Sequence, residues 1–360
     1  MDKVWTANWI MDARFNGLEP INVFHKQLDT VVTPKHMEHL KNNHMLVRKE
    51  FKLTQKFSHS YLDISADDYY KLYINGQFIG QGPAPAYYFE YNYNRYEISK
   101  YLRVGNNVIA VHVYYQGLVN RVWNCGDYRQ GLIAELFVSD ALYLKTDSTW
   151  KYTKAREFVG TETFGYETQY NENIDQRLKE TGWRECGYPD ESWQNACVNL
   201  ADDHKLIMQQ TPTLDIYEIK PMKVDCIAEG HYLIDFGQKI TGQFKMRACG
   251  ESGQTIEVLC GEELEEDDCS HVRFKLRCNC TYQELWTLSG REDVLEYYDY
   301  KAFRYVEVVG PVNSFDPDSF SAIVRHYPFA EDRCIFHSSS SMLNDIWKIC
   351  KNGVIGRAHV

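Results

Sequence analysis

Two stretches of the chain carry residue types that could bind a ligand. In the first, YYQGLVNRVWNCGDYRQG, the rings of Tyr115 and Trp123 could stack on the apolar face of a sugar. Asp127 and Arg129 could hydrogen-bond its hydroxyl groups. The structural alternative is an Asp–Arg pair that fixes a long loop above a buried tryptophan. Both readings stay open here, and these four residues are the candidate ligand-binding residues.

The second stretch, GEELEEDDCSH, offers carboxylates for acid–base work or for Ca²⁺. It lacks the alternating ligands and the turn glycine of an EF-hand, so we expect a solvated strand end. His271, at its end, carries no more signal than a lone histidine. Asp175 and Arg177, in NENIDQRLKETGW, are interpreted as a structural ion pair rather than the rim of a site.

Cysteine spacing gives little support for a metal site. The chain has 11 cysteines, and the cluster Cys269, Cys278 and Cys280 has neither knuckle spacing nor a following His pair. P-loop, G-x-S-x-G and H-E-x-x-H motifs are absent from the sequence, and the glycines of GQFIGQGP run into Pro83 rather than into a helix. We therefore predict no metal and no cofactor.

Charge and composition restrict the class of partner. Lys+Arg 39 against Asp+Glu 50 gives a net charge of -11, which repels nucleic acid and anionic membranes. The sequence shows neither a secretory leader nor an apolar run of about 18 residues, so we expect a soluble cytoplasmic protein with reduced thiols.

The elements that would position these residues read as strands. Aromatic residues make up 14% of the chain, and short alternating runs are separated by turn residues. Asn75-Gly76 predicts a hairpin with a type I′ turn, and Gly105-Asn106-Asn107 predicts another turn. PDESWQNA looks like a capped helical turn from Asp190. Gly237 and Gly242 are expected at hairpin joins in the second half.

The fold class expected is mainly β, with two jelly-roll-like β-sandwich domains and a helix. A polar stretch with Pro212 and Pro221 suits an interdomain crossing, which gives domains at 1–210 and 211–330. In residues 331–360 the spacing of the apolar residues changes from the alternation of a strand to that of a helix. The segment SSSSMLNDIWKIC therefore predicts a helix with an apolar stripe. Such a stripe needs a partner, so we expect an exposed patch or self-association as a homo-oligomer.

Five segments in order resemble the N-terminal half of bacterial α-L-rhamnosidases of glycoside hydrolase family 78. They are YYKLYINGQFIGQGPAPAYYFEYNYNRYEISKYLRVGNNVIAVHVYYQG; NENIDQRLKETGW with PDESWQNA; LIDFGQKITGQFKMRACGESGQTIEVLCGEEL; YKAFRYVEVVG; and RCIFHSSSSMLNDIWKIC. Lys239 stands where the family pattern has Asn, and Ala302 stands where it has Gly. Together the segments cover nearly the whole chain.

The resemblance implies that an (α/α)6 catalytic barrel, absent here, would follow the two sandwiches, with its first helix in residues 331–360. In the family the barrel supplies the acid and the base that hydrolyse terminal α-L-rhamnosides with inversion, two carboxyl groups about 6.5–9.5 Å apart. No position of this chain matches them, so no catalytic residue is predicted.

The function expected is therefore the non-catalytic β-sandwich portion of such an enzyme. Its partners would be rhamnose-containing glycosides or oligosaccharides and the helical barrel domain. The alternatives are a stand-alone carbohydrate-binding module, in which the first sandwich binds the sugar, and a scaffold that only packs against a partner subunit.

Overall fold

The computed structural model describes residues 3–22, 36–118, 125–165, 167–311, 315–330 and 332–357. The chain divides into two compact units. Unit 1 comprises Met1–Arg156, Glu167–Tyr170 and Glu180–Thr213, and unit 2 comprises Glu157–Tyr166, Asn171–Lys179 and Leu214–Val360. Residues 157–166 and 171–179 thus belong to unit 2 although they precede position 211, where the sequence places the boundary.

Unit 1 consists of short strands. They are β1 (Ile10–Met11), β2 (Asn43–Leu53), β3 (Ser60–Asp67), β4 (Tyr69–Ile74), β5 (Gln77–Gly82), β6 (Tyr91–Glu97), β7 (Gly105–Tyr115), β8 (Gly131–Val138), β9 (Ala141–Lys145), β10 (Lys151–Lys154), β12 (Gln169–Tyr170), β14 (Gln194–Asn195), β15 (Cys197–Val198) and β16 (Leu206–Met208). Between them lie 3-10 turns at Ala13–Phe15, Glu38–Leu40, Tyr88–Glu90 and Ser99–Tyr101.

Two sheets of unit 1 pack face to face. One has the order β15-β1-β8-β3-β6-β16 with β9 beside β8, and the other has the order β14-β10-β2-β7-β4-β5. Apolar side chains from both sheets form a single core, for example Leu62 and Ile64 on β3 with Val111 and Val113 on β7. Unit 1 is therefore a β-sandwich, as expected from the alternating strands.

The predicted hairpin is confirmed. β4 and β5 pair antiparallel around Asn75 and Gly76, whose φ angles of 50° and 80° are those of a type I′ turn. The turn predicted at Gly105–Asn107 is wrong, because these residues pair with β2 as the start of β7. The turn lies just before them, where the Asn107 side chain accepts from Arg103 N and donates to Arg103 O.

The helical turn predicted at Asp190 is also a smaller feature than expected. The Trp193 N–H donates to Asp190 O at 3.0 Å, which closes one turn, and β14 begins at Gln194. The Asp190 carboxylate does not cap this turn, because it binds the guanidinium of the buried Arg48.

Unit 2 is built on a larger sheet. Its strands are β11 (Thr163–Phe164), β13 (Ile174–Asp175), β17 (Asp215–Ile219), β18 (Lys223–Ala228), β19 (His231–Lys245), β20 (Arg247–Cys249), β21 (Thr255–Gly261), β22 (Gln283–Thr287), β23 (Glu292–Val294), β24 (Lys301–Val309) and β25 (Ser321–His326), with 3-10 turns at Gln176–Leu178, Arg277–Asn279 and Pro317–Ser319. The large sheet has the order β13-β22-β21-β24-β19-β25-β17, with β18 beside β19, and β20 pairs with β23. Trp286, Phe303 and Phe320 lie in its core. The mainly β fold class is confirmed.

Two glycines of β19 do not mark hairpin joins, contrary to the prediction. β19 is one long strand with a register shift between Asp235 and Ile240, and Gly237 lies in that irregular stretch with a φ of 79°. Gly242 pairs with Lys301 on one side and Val324 on the other. A Cβ on Gly242 would lie 2.2 Å from Ile323 O, so close approach of the neighbouring strand requires glycine here.

A short strand explains why residues 171–179 belong to unit 2. β13 pairs in parallel with β22, with Ile174 opposite Trp286. The Trp286 indole N–H donates to Gln176 Oε1 at 3.2 Å. Likewise Asp215–Ile219, expected within a crossing segment, forms β17 at the edge of the sheet.

The predicted helix is present as α1 (Ser341–Arg357). The Asn344 side chain fixes its start, since it accepts from Ser338 N and donates to Ser338 O. Exposed apolar side chains follow along the helix, at Met342, Leu343, Ile346 and Ile349. Within the described residues, no helix has the length and apolar character needed to cross a membrane.

Candidate functional site

The end of β7 and the start of β8 bring the sequence-predicted residues together in unit 1. Tyr115 is the last residue of β7, and Asp127 and Arg129 lie just before β8. The Tyr115 hydroxyl accepts from Tyr128 N at 2.9 Å, which joins the two ends of the intervening loop. Trp123 lies outside the described residues.

Tyr115 has a packing role. Its ring is fully buried and meets Phe15 edge to face at 5.1 Å. His36 Nε2 lies 2.8 Å from its hydroxyl, and burial raises the pKa of Tyr115 well above its usual value. Because the ring is fully buried, neither of its faces is exposed to a sugar in the structure. Stacking of a sugar on Tyr115 stays a prediction.

Arg129 is fully engaged by protein atoms. Its Nε and Nη2 donate to the two carboxylate oxygens of Asp203 at 2.6 and 2.8 Å, and Nη2 also donates to Asn22 Oδ1. Its Nη1 donates to Asp127 Oδ2 and to Ile21 O, each at 2.8 Å. All five N–H groups of the guanidinium are used. This arrangement matches the structural alternative, a pair that fixes the loop.

The carboxyl groups of Asp67 and Asp68 lie beside this network. No pattern in the sequence had singled them out. Asp67 ends β3 and pairs with Gly131, the first residue of β8, and Asp68 follows it. Asp68 Oδ2 accepts from Gln116 N at 2.7 Å. Both side chains are buried, and the two carboxyl groups hydrogen-bond to each other. Apart from this mutual contact, Asp67 Oδ1 and Asp68 Oδ1 receive no hydrogen bond from the described residues.

Burial controls the electrostatics of this group. It raises the pKa values of Asp67 and Asp68 well above the usual range, with added repulsion from Asp127 on Asp67 and from Asp67 on Asp68. Burial also raises the pKa of Asp127, although Arg129 acts in the opposite direction. A buried carboxyl group with a raised pKa keeps its proton more readily and can donate it, so the Asp67–Asp68 hydrogen bond satisfies part of this group within the protein.

A histidine and two aromatic rings complete the group. His204 Nε2 lies 3.2 Å from Asp67 Oδ2, and its Nδ1 lies 2.6 Å from Asp202 Oδ1. Trp9 stacks on the imidazole with centroids 4.3 Å apart, and Tyr91 meets it edge to face at 4.6 Å. We call Asp67, Asp68, Asp127 and His204 the carboxylate cluster. Its sequence signal was the pair of adjacent acidic residues in SADDYY, at the end of an apolar strand.

The other candidates of the sequence analysis lie in unit 2. Asp175 caps a 3-10 turn and binds the exposed Arg177 at 2.6 Å, a local pair with the geometry expected of a structural contact. The acidic run after β21 is mostly exposed, as predicted. Cys269 is exposed and Cys280 is half-buried, whereas the side chain of Cys278 lies outside the described residues.

His271 is not a lone histidine, which corrects the sequence interpretation. His231 and His271 both approach the buried Glu307, and the three side chains have the spacing of metal ligands. The sequence could not show this, because the residues come from three separated segments.

Family comparisons match both β-rich parts of the chain. Residues 55–218 match the model of the α-L-rhamnosidase N-terminal domain, and residues 226–326 match that of the bacterial α-L-rhamnosidase concanavalin-like domain.

Individual relatives agree with these matches. An α-L-rhamnosidase of Formosa agariphila is 23% identical, covering 87% of this chain and 34% of that protein, and one of Streptomyces avermitilis is 26% identical, covering 83% and 30%. The chain thus spans about a third of the length of these curated relatives.

Solved structures show the same fold. The α-L-rhamnosidase from Dictyoglumus thermophilum superposes with a TM-score of 0.73 at 24% identity, over 98% of this chain and 39% of that one. A family 78 rhamnosidase of Bacillus sp. GL1 gives a TM-score of 0.77 at 14% identity, over 98% and 58%.

Proposed function

Because the chain belongs to the bacterial α-L-rhamnosidase family, we propose that it forms the non-catalytic β-sandwich portion of an inverting glycoside hydrolase that acts on terminal α-L-rhamnosides. The observation that carries the proposal is the coverage: both β units match the family, while the curated relatives are about three times as long as the part matched. The catalytic carboxylates are then supplied by a helical domain outside this chain.

The site geometry supports a non-catalytic role. Inverting hydrolysis needs one protonated carboxylic acid and one ionised carboxylate on either side of the glycosidic bond, with room for a water. In the carboxylate cluster, Asp127 is held by Arg129, and Asp67 contacts His204. Asp67 and Asp127 are each 1% exposed, so neither carboxyl group is accessible to a glycosidic bond in this structure.

A turnover assay tests this proposal. The full chain is incubated with p-nitrophenyl α-L-rhamnopyranoside, and released nitrophenol is measured by absorbance. We expect the rate of the buffer control, with the related Streptomyces avermitilis enzyme as the positive control. Rhamnoside hydrolysis that stays with the chain through a second chromatographic step would overturn the proposal.

The exposed apolar side chains of α1 support a helical domain as the partner. Met342, Leu343, Ile346 and Ile349 are all exposed, and an amphipathic helix gains most of its stability by burying such a stripe. We propose that they pack against further helices of the parent enzyme.

A second candidate function is carbohydrate binding by unit 1. The observation in its favour is the grouping of Asp67, Asp68 and Asp127, three neighbouring carboxyl groups, beside the loop that carries the predicted ligand-binding residues. A sugar presents several hydroxyl groups within a few ångströms, and on binding these would replace the hydrogen bond between Asp67 and Asp68. The ligand proposed is L-rhamnose or a rhamnose-containing glycoside.

Titration calorimetry of the full chain with L-rhamnose tests the second candidate. We expect binding heat that is lost in Asp68→Asn and in Trp123→Ala, because the first substitution removes an acceptor and the second removes the predicted stacking ring. Tyr87→Ala removes an exposed aromatic side chain of the same unit and should leave the heat unchanged. Equal heats for the wild type and all three variants, or no heat at all, would reject carbohydrate binding here.

A further inference from the structure

Three side chains of unit 2 converge on one point at the surface of its large sheet. His231 begins β19, Glu307 lies on β24, and His271 lies in the loop after β21. His231 Nε2 lies 2.8 Å and His271 Nδ1 lies 2.9 Å from the same atom, Glu307 Oε1. The three potential ligand atoms all lie within 4.8 Å of one another.

The carboxylate is held firmly in place. Glu307 is 2% exposed and lies opposite Leu233 on β19 and Leu259 on β21, so its backbone is bonded on both sides. Its second oxygen, Oε2, accepts from Val272 N at 2.8 Å. Oε1 is therefore the oxygen directed at the two imidazoles.

His271 is positioned by its own loop. The His271 N–H donates to Asp268 O, and Glu265 N–H donates to His271 O. On the far side of the ring, Nε2 lies 3.7 Å from Asp268 Oδ2. A carboxylate behind a ligating imidazole fixes its tautomer and orientation in many metal sites.

We propose that His231 Nε2, His271 Nδ1 and Glu307 Oε1 bind a zinc-type divalent cation. Two imidazole nitrogens and one carboxylate oxygen suit Zn²⁺, whereas Ca²⁺ and Mg²⁺ prefer all-oxygen sites. Zn²⁺ bond lengths of about 2.0–2.1 Å in a tetrahedron place ligand atoms roughly 3.3 Å apart. The two contacts to Glu307 Oε1 therefore need to lengthen by about half an ångström, and the two imidazole nitrogens, which lie within 4.8 Å of each other, need to reach the same spacing. The fourth position opens to solvent beside His271, whose side chain is 49% exposed.

A cation binds the lone pair of an imidazole nitrogen, so neither His231 Nε2 nor His271 Nδ1 carries a proton when the site is occupied. In each neutral imidazole the proton moves to the other ring nitrogen, which for His271 is the Nε2 atom that faces Asp268. The bound cation would join the loop after β21 to β19 and β24. This inference does not depend on the proposed function.

A direct binding measurement tests the site. The full chain, kept reduced, is titrated with Zn²⁺ against a chromophoric chelator, and Co²⁺ spectra report the ligand type. We expect one equivalent bound without a thiolate-to-cobalt charge-transfer band. Affinity should fall by about tenfold or more in His271→Ala and Glu307→Gln, which each remove a ligand. It should fall by less in Asp268→Asn, because that carboxylate lies 3.7 Å from His271 Nε2, beyond hydrogen-bond distance.

A matched control is available on β25. His326 is another histidine of unit 2, with Nε2 3.1 Å from the Tyr217 hydroxyl, and His326→Ala should leave the affinity unchanged. Glu307→Gln keeps an oxygen to accept from Val272 N, so its circular dichroism should match that of the wild type. The proposal is overturned if no equivalent binds, if binding shows thiolate ligation, or if it persists in the folded Glu307→Gln variant.

Discussion

Replacing Arg129 with methionine tests whether the loop before β8 is fixed by a buried ion pair. Methionine keeps most of the aliphatic stem of arginine but removes all five donors. Asp127, at 1% exposure, then loses its charged partner without gaining water. Asp203 is 42% exposed along its side chain and can be rehydrated, so most of the cost arises at Asp127.

The expected loss of folding stability follows from the difference in exposure between Asp127 and Asp203. Removing one partner of a buried pair typically costs about 3–5 kcal/mol, and solvation of Asp203 favours the lower end, about 3 kcal/mol. The Tyr88 ring, 4.1 Å from the guanidinium carbon, loses its cation–π contact as well. For a urea slope of up to about 3 kcal/mol per M, the midpoint of unit 1 should fall by about 1 M or more.

Tryptophan fluorescence in urea is a suitable assay, because most of the 8 tryptophans precede Leu214. A matched control is Arg177→Met, which breaks another Asp-x-Arg pair at a guanidinium that is 49% exposed. Its effect, followed by circular dichroism, should be a small fraction of that at Arg129. The double variant Asp127→Asn with Arg129→Met should recover about 1 kcal/mol or more, because it removes the stranded charge.

Two results would refute the reasoning. The first is a midpoint in Arg129→Met that falls no further than in Arg177→Met. The second is a double variant less stable than Arg129→Met alone, which would show that the lost bonds, and not the unpaired Asp127, account for the cost.

Three further predictions concern buried groups. Burial raises the pKa of Asp68 above its unfolded value, so the stability that its protonation confers is lost as pH rises from about 4 through the folded pKa. Asp68→Asn should therefore gain in urea midpoint over the wild type from pH 5 to pH 8, and a constant difference would contradict the raised pKa. Gly242→Ala should destabilise unit 2 by about 1–3 kcal/mol, since its Cβ would meet Ile323 O, and calorimetry showing an unchanged unit 2 transition would exclude this close approach. Burial raises the pKa of the Cys260 thiol to about 12, so in peptide mapping after iodoacetamide it should react after the exposed Cys226, and the reverse order would show that Cys260 is accessible.

Local sequence patterns were enough for the fold class and for several elements. Asn75-Gly76 between alternating runs predicted its hairpin, and the apolar spacing from Met342 predicted α1. Both depend on interactions between residues near in sequence, which local patterns record. Gly105, Gly237 and Gly242 were misplaced because a glycine in a strand has the same composition signal as a glycine in a turn.

Site residues were harder to predict. The sequence predicted a functional or structural role for the loop that carries Asp127 and Arg129. The structure places both residues in one buried network. It did not single out Asp67, Asp68 or His204, which reach that network through the pairing of β3 with β8 and through a segment more than 130 residues further along the chain. Long-range register of this kind leaves no local pattern.

The Asp-x-Arg pairs at Asp127 and Asp175 separate what the sequence determines from what the tertiary structure decides. Their spacing alone determines the local contact, since in both pairs the arginine N–H donates to Asp Oδ1 at 3.1 Å and the guanidinium returns to Oδ2. Only the fold decides that Arg129 is 2% exposed and Arg177 is not buried. The physical reason is that an ion pair's contribution depends on its surroundings: solvent screens the pair at Arg177, while burial makes the pair at Arg129 costly to break.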